Sequence, residues 1–300
     1  MSKEKEGLSV DAFEYAAPQH LQDAVGLLAG AGGEARPLAG GTDLITQMKE
    51  KRRSPALVVD VKKIPELNVL SYEAGLHIGA AVSCTQIAEF EPVRVHYPAL
   101  AEACALIGSY QIQNRAALGG NFCNAAPSAD AVPPAVSYGA TLVIAGPDGR
   151  REIPSEDFFV GPGQTVLEKG EVLVEIVLPS PPPRSGAAYL RFIPREEMDI
   201  AVAGVGSFVQ LSPDARTCEQ ARIVLAAVAP TPVRAKEAEA FLTGKSLDDT
   251  TIAQAGELAS QAASPISDVR GSAAYRIELV KVLTRRTLGK ALERARGKIS

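Results

Sequence analysis

Cysteine and histidine are scarce in this chain. The 300 residues contain four cysteines, Cys84, Cys104, Cys123 and Cys218, and three histidines, His20, His77 and His96. No two cysteines form a Cys-x-x-Cys unit, and no histidine lies near one in sequence. A metal or iron–sulfur centre built by this chain alone is therefore not expected, and isolated thiols in a reducing compartment are. Long apolar runs are also missing: nothing approaches the length of a membrane span. The mixed-charge start Met1-Ser-Lys-Glu-Lys-Glu-Gly7 has no apolar signal-peptide core after it. A cytoplasmic protein is expected. A basic excess is lacking too. The net charge of −4 and the pI of about 5.6 give no footprint for nucleic acid or an anionic membrane.

Apolar residues make up 46% of the chain and charged residues 22%, enough for a sizeable core and one large or two smaller domains. Leu21, Ala24, Val25 and Leu28 repeat at helical spacing, and Gly30 to Gly33 end that helix. A strand at 36–39, a helix at 44–50 and a valine-rich strand at 56–61 complete a first α/β unit. A hairpin follows at 69–79, then helices at 85–90 and 99–107. The Gly/Asn/Ala-rich stretch 111–128 reads as irregular. Strands are expected at 141–145 and 171–178, with a turn at 147–150. Pro179-Ser-Pro-Pro-Pro-Arg-Ser-Gly186 can continue neither helix nor strand, so a domain boundary is placed there. Beyond it lie three expected strands, 187–192, 204–211 and 221–228. Helices at 233–242, 248–263 and 272–296 follow, the last amphipathic through Ile277, Val280, Leu283, Leu288 and Leu292.

Three familiar signatures fail. Gly30-Ala-Gly-Gly-Glu-Ala35 follows a helix, whereas a dinucleotide fingerprint must leave a strand. Gly244-Lys-Ser246 lacks the upstream glycine of a phosphate loop, since Glu239 occupies that place. Gly204-Val-Gly206 has no third glycine and reads as tight packing within a strand.

Two segments hold. In Leu38-Ala-Gly-Gly-Thr-Asp-Leu44, a glycine pair between strand and helix lets backbone N–H groups approach an anion, and Thr42 adds a hydroxyl. A side chain at Gly41 is expected to obstruct that approach. Read alone, the segment is equally a tight turn capped by Thr42 or Asp43. Arg115-Ala-Ala-Leu-Gly-Gly-Asn-Phe-Cys-Asn124 repeats the glycine pair, and Pro127-Ser-Ala-Asp130 brings a carboxylate nine residues after Asn121. Asp130 is either a ribose acceptor or a helix cap.

Taken together and in order, these segments resemble the FAD-binding subunits of the xanthine dehydrogenase and carbon monoxide dehydrogenase family. The resemblance spans nearly the whole chain. It rests on Ala39-Gly-Gly-Thr-Asp43, Gln111-Ile-Gln-Asn-Arg115, Leu118-Gly-Gly-Asn121, Tyr189-Leu-Arg-Phe192 with Arg195, Asp199-Ile-Ala201, and Asp268-Val-Arg270 before the last helix. It implies an α+β chain of the PCMH/VAO flavoprotein type. Two α/β subdomains (about 11–68 and 69–180) follow a tail (1–10). A linker (181–186) leads to a small domain with a three-stranded antiparallel sheet and helices (187–300).

The same resemblance implies FAD as cofactor. Pro37, Leu38, Ala39, Gly40, Gly41, Thr42 and Asp43 would line one side of its site, and Ala117, Gly119, Gly120 and Asn121 the other. Asp130 would hold the adenosine ribose, and Leu173 would also contact the cofactor. Ile107 and Ile200 would lie against the isoalloxazine, where relatives can carry an aromatic residue. Arg191 would stand where a lysine is frequent.

In such complexes a molybdopterin-containing large subunit oxidises the substrate. A small subunit with two [2Fe–2S] clusters relays the electrons, and the flavin subunit delivers them to NAD, a quinone or oxygen. The alternative is a stand-alone flavin oxidase. It is disfavoured by the short, histidine-free region after the linker.

Overall fold

A computed structural model describes residues 10–195 and 198–297; most of the expected N-terminal tail lies outside them. The first layer is a parallel sheet. Strands β1 (Glu14–Ala16), β2 (Ala35–Leu38) and β3 (Leu57–Asp60) lie in the order β1-β3-β2. Helix α1 (Leu21–Gly30) buries Leu21, Ala24, Val25 and Leu28, the residues its periodicity selects. Helix α2 (Leu44–Lys49) connects β2 to β3. Gly30 to Gly33 form the turn that ends α1, which disposes of the dinucleotide fingerprint.

The second unit begins with the expected hairpin, β4 (Leu70–Tyr72) and β5 (Gly75–Gly79). Helices α3 (Cys84–Glu89), α4 (Glu91–His96) and α5 (Pro98–Ala105) follow. Ser83 opens α3 with a reciprocal capping box to Gln86. The stretch expected to be irregular is not. It holds α6 (Tyr110–Gln113) and α7 (Leu118–Asn124), and α8 (Val132–Tyr138) comes next. Glycine and asparagine lower helix propensity, but Leu118 and Phe122, one turn apart, are fully buried and fix α7 by packing.

Strands β6 (Thr141–Gly146), β7 (Gly149–Pro154), β8 (Phe159–Gly161), β9 (Gln164–Thr165) and β10 (Val172–Pro179) complete this unit. Its main sheet is wholly antiparallel, in the order β4-β5-β10-β6-β7. Strand β7 alternates exposed and half-buried residues at the sheet edge, too polar a pattern for periodicity to select.

Residues 180–184 link the two parts. Strand β11 (Ser185–Phe192) already includes Ser185 and Gly186, so the linker is shorter than 181–186. Gly186 belongs to the sheet because α11 lies on it: a Cβ there would stand 2.3 Å from the Ala291 carbonyl oxygen. Strands β12 (Ala203–Leu211), β13 (Cys218–Ala226) and β14 (Val233–Arg234) follow. They make a four-stranded antiparallel sheet rather than one of three. The fourth strand takes residues expected to begin a helix, because Leu225 and Val224 of β13 pair with Val233 and Arg234. Helices α9 (Lys236–Leu242), α10 (Asp249–Gln261) and α11 (Ala273–Ala295) cover the sheet. Asp248 and Ser272 cap the last two, accepting from the Thr251 and Tyr275 N–H groups at 2.8 and 3.2 Å.

The glycines of β12 act as expected. A Cβ on Gly206 would meet Pro133 at 2.9 Å, and one on Gly204 the Tyr189 hydroxyl at 2.8 Å. The contact at Gly206 sets the C-terminal sheet directly against α8, while Gly204 makes room within the sheet for Tyr189 of β11. The structure is thus α+β. Two cores, one spanning the first two units and one behind the C-terminal sheet, face each other across β11 and β12. Among the described residues no helix is long and apolar enough to cross a membrane.

Candidate functional site

A cleft of about 570 Å³ runs between the parallel sheet and the antiparallel one. Its two walls are built by the two glycine segments. On one side β2 ends at Leu38, and the chain turns through Gly40 and Gly41 into α2. On the other, Ala117 leads into α7, whose first turn holds Gly119 and Gly120. Two short helices thus start at the same cleft, each from a glycine pair.

First-turn N–H groups have no partner within their own helix. Among the described residues, the N–H groups of Gly119 and Gly120, in the first turn of α7, and of Thr42 and Asp43, in the turn that leads into α2, have no backbone or side-chain acceptor. They form a polar cradle suited to a diphosphate. The alternative of a tight turn capped by Asp43 fails: Asp43 is the N-cap of α2 but makes no side-chain hydrogen bond to it.

The four glycines do different work. Gly40 is pressed against the opposite segment: a Cβ would stand 1.9 Å from the Arg115 carbonyl oxygen. Gly41 has φ +76°, and a Cβ would meet Leu38 Cδ1 at 2.8 Å. A side chain there strains the backbone before any ligand is considered. Gly119 is closed off by Ala80, whose Cβ and carbonyl oxygen would both lie 2.5 Å away. Of these four, Gly120 alone has open space where its Cβ would be. This is room for a ligand. Gly40→Ala is accordingly expected to cost about 1–3 kcal/mol of stability or more by forcing the two segments apart. Calorimetry of the apoprotein checks it; a parental melting temperature would refute close backbone packing at Gly40.

The remaining expected residues fall into two groups. Pro37, Leu38, Ala39, Gly40, Gly41, Thr42, Asp43, Ile107, Ala117, Gly119, Gly120, Asn121 and Leu173 all line the cleft. Asn121 also accepts from the Ala131 N–H at 3.3 Å, fixing the turn into α8. Burial pushes the Asp43 carboxyl above its ordinary value, partly offset by the Arg52 charge. Asp130, Arg191 and Ile200 are not in the lining.

Asp130 instead sits buried at the junction with the C-terminal sheet. It accepts from the Tyr189 hydroxyl at 2.7 Å and is paired with Arg191. It does not cap α8, whose N-cap is Ala131. Burial pushes its carboxyl up, against the pull of the Arg191 charge and of the bonds from Tyr189 and Arg191. Arg191 also donates to the Leu106 carbonyl at 2.8 Å, beside Ile107. Its Nε is buried without a partner among the described residues. Ile200 is half exposed, on the segment between β11 and β12.

Several lining residues had no signal in the sequence. Gln47 donates from Nε2 to Asn124 Oδ1 at 2.9 Å, tying α2 to α7 across the cleft. Arg36 and Arg53 also line it, as does Cys123, which the sequence already places inside the second glycine segment. The Cys123 side chain is exposed to the cleft. Among the described residues no group of histidine, cysteine and carboxylate side chains could hold a metal ion.

The family described as "FAD binding domain in molybdopterin dehydrogenase" matches residues 11–181, and "CO dehydrogenase flavoprotein C-terminal domain" matches residues 188–291. The xanthine dehydrogenase FAD-binding subunit of Escherichia coli O157:H7 is 34% identical over 292 residues, 96% of this chain and 99% of that one. The carbon monoxide dehydrogenase medium chain of Hydrogenophaga pseudoflava is 34% identical over 283 residues, 94% of this chain and 98% of that one. A solved structure of carbon monoxide dehydrogenase from the same organism superposes with a TM-score of 0.92 at 35% identity, covering 95% of this chain and 99% of that one. Quinoline 2-oxidoreductase from Pseudomonas putida 86 gives 0.88 at 32% identity, with 97% and 100% covered.

Proposed function

This chain belongs to the family of FAD-binding subunits of molybdopterin dehydrogenases, and from that premise we propose that it is the electron-transferring flavin subunit of a molybdenum hydroxylase complex. It takes electrons from an iron–sulfur subunit with two [2Fe–2S] clusters, served by a molybdopterin-containing large subunit. It passes them to an external acceptor, whether NAD, a quinone or oxygen. The observation that carries this reading is the cleft wall at Gly120, where a Cβ would enter open space beside unpartnered N–H groups. The residues fit FAD: a narrow cradle of backbone donors for the diphosphate, and the aliphatic surfaces of Ile107 and Leu173 for a flat ring. When bound, FAD supplies the conversion between single electrons and electron pairs.

The chain's own part is to bind and orient. Backbone donors at 42–43 and 119–120 hold the diphosphate. Gln47 and Asn124 keep the two walls in register. The division into a FAD-binding part (11–180, with subdomains 11–68 and 69–180) and a C-terminal part from 187 belongs to the same reading, as does a cytoplasmic location. Asp130 and Ile200 are assigned to the ribose and the ring only if the C-terminal sheet shifts on binding, since the structure engages Asp130 elsewhere.

Purified alone, the chain is expected to hold flavin that dithionite reduces and that carbon monoxide, a purine, nicotinate or an aldehyde leaves oxidised. In the assembled complex the proper substrate bleaches the flavin absorbance anaerobically. Bleaching of the isolated chain by any of them would instead establish a stand-alone oxidase. Acid precipitation should release the flavin, because the two glycine segments offer backbone donors rather than a covalent link; flavin retained on the denatured chain would refute this and point to Cys123, the exposed thiol of the cleft.

A further inference from the structure

Two arginines in the cleft have no counter-ion among the described residues. Arg36 lies on β2, four residues before Gly40, and Arg53 follows α2. Both line the cleft and both are half-buried. Their neighbours are paired: Lys51 with Asp11, and Arg52 with Glu50. Among the described residues Arg36 and Arg53 meet only neutral acceptors. Arg36 Nη1 donates to the Gly33 and Ala35 carbonyls at 2.9 and 2.8 Å. Arg53 Nε donates to Gln47 Oε1 at 2.7 Å. Each guanidinium therefore keeps donors without an acceptor. Burial, and then the charge of Arg53, hold Arg36 below the ordinary arginine value, and both side chains line the one cleft.

Holding two partly desolvated cations together without an anion is unfavourable, and a bound anion relieves it. Their place narrows the choice of anion. Gln47, which takes the Arg53 bond, also reaches Asn124 at the end of α7. Arg53 is thus anchored to the side chain that joins the two glycine-led helices. Arg36 is on the strand that delivers the first glycine pair. Guanidinium groups suit phosphate oxygens because their paired donors match the anion's geometry.

We propose that Arg36 and Arg53 supply the counter-charge for the diphosphate of FAD, and so make the cleft selective for the dinucleotide over riboflavin. This rests on the cleft being the FAD site. The backbone cradle positions the diphosphate, and the arginines provide the net positive charge that N–H dipoles lack.

The test uses the full-length apoprotein and its Arg36→Gln and Arg53→Gln variants. FAD and riboflavin are titrated by flavin fluorescence at low and high ionic strength, with apoprotein melting measured in parallel. Each variant should bind FAD about ten- to a hundredfold more weakly, with a shallower salt dependence. Riboflavin affinity and melting temperature should stay at the parental value in at least Arg53→Gln, whose backbone makes no contact that glutamine cannot keep. Unchanged FAD affinity in both variants overturns the proposal. So does a parallel loss of riboflavin binding, which would make the arginines supports of the loop. A parent that binds no FAD would instead overturn the assignment of the cleft.

Discussion

Gly120→Leu should leave the apoprotein as stable as the parent, or slightly more so, while weakening FAD by at least about a hundredfold. The two halves of this result have separate causes. Gly120 lies in the first turn of α7, and no atom lies within 4 Å of where its Cβ would stand. The Cβ of a side chain there therefore meets no protein. Glycine is about 1 kcal/mol less favourable than a good helix former, so the helix itself gains. The new side chain, however, fills the cleft wall beside the unpartnered N–H groups of Gly119 and Gly120. A diphosphate pushed away from those donors loses charge-assisted bonds worth roughly 1.5–3 kcal/mol each, and two such losses exceed two decades in affinity. Equilibrium titration of flavin fluorescence, with calorimetry of the apoprotein, reads both. Parental FAD affinity in a folded Gly120→Leu protein would remove the diphosphate from this wall. Gly41→Val is a poorer probe, since φ +76° and Leu38 penalise it in the absence of ligand.

Asp130→Ala has the opposite signature, with the loss falling on the fold. The Asp130 and Arg191 side chains are only 10% and 6% exposed, so neither charge is solvated once its partner is gone. Removing one member of such a pair costs about 3–5 kcal/mol, chiefly because the other is left buried and uncompensated. Tyr189 also loses the acceptor of its hydroxyl. The apoprotein should therefore melt well below the parent, and Asp130→Ala with Arg191→Met should recover much of the difference. Denaturant unfolding of the two variants and the parent decides it. An apoprotein of parental stability that has lost FAD would return Asp130 to the ribose. Asp130 precedes α8 in the FAD-binding part and Arg191 lies on β11, so the pair also ties the C-terminal sheet to the Ile107 end of the cleft through Leu106.

Much of this protein is written in local signals. Strand and helix periodicities such as Leu21 to Leu28 and Val280 to Leu292 depend on residues a few positions apart, and the structure buries those faces. The glycine pairs at 40–41 and 119–120 mark where backbone must come close, and both line one cleft. Their ordered company across the chain identifies the family without coordinates.

The partners of these residues are another matter. Gly40 is a glycine because Arg115 presses on it, not because of a ligand alone. Gln47 reaches Asn124 across 77 positions, and Asp130 reaches Arg191 across 61. The helix at Leu118–Asn124 forms against its own weak propensity because buried Leu118 and Phe122 hold it in place. β14 is a strand because β13 lies beside it. Each of these depends on which surfaces the folded chain brings together, and pairing over such distances leaves no periodicity or spacing in the sequence. The sequence determined the cofactor and the two glycine segments that line the cleft. Packing between the layers decided which glycine of the two pairs opens onto the cleft, which carboxylate is withheld from it, and which arginines lack a counter-ion among the described residues.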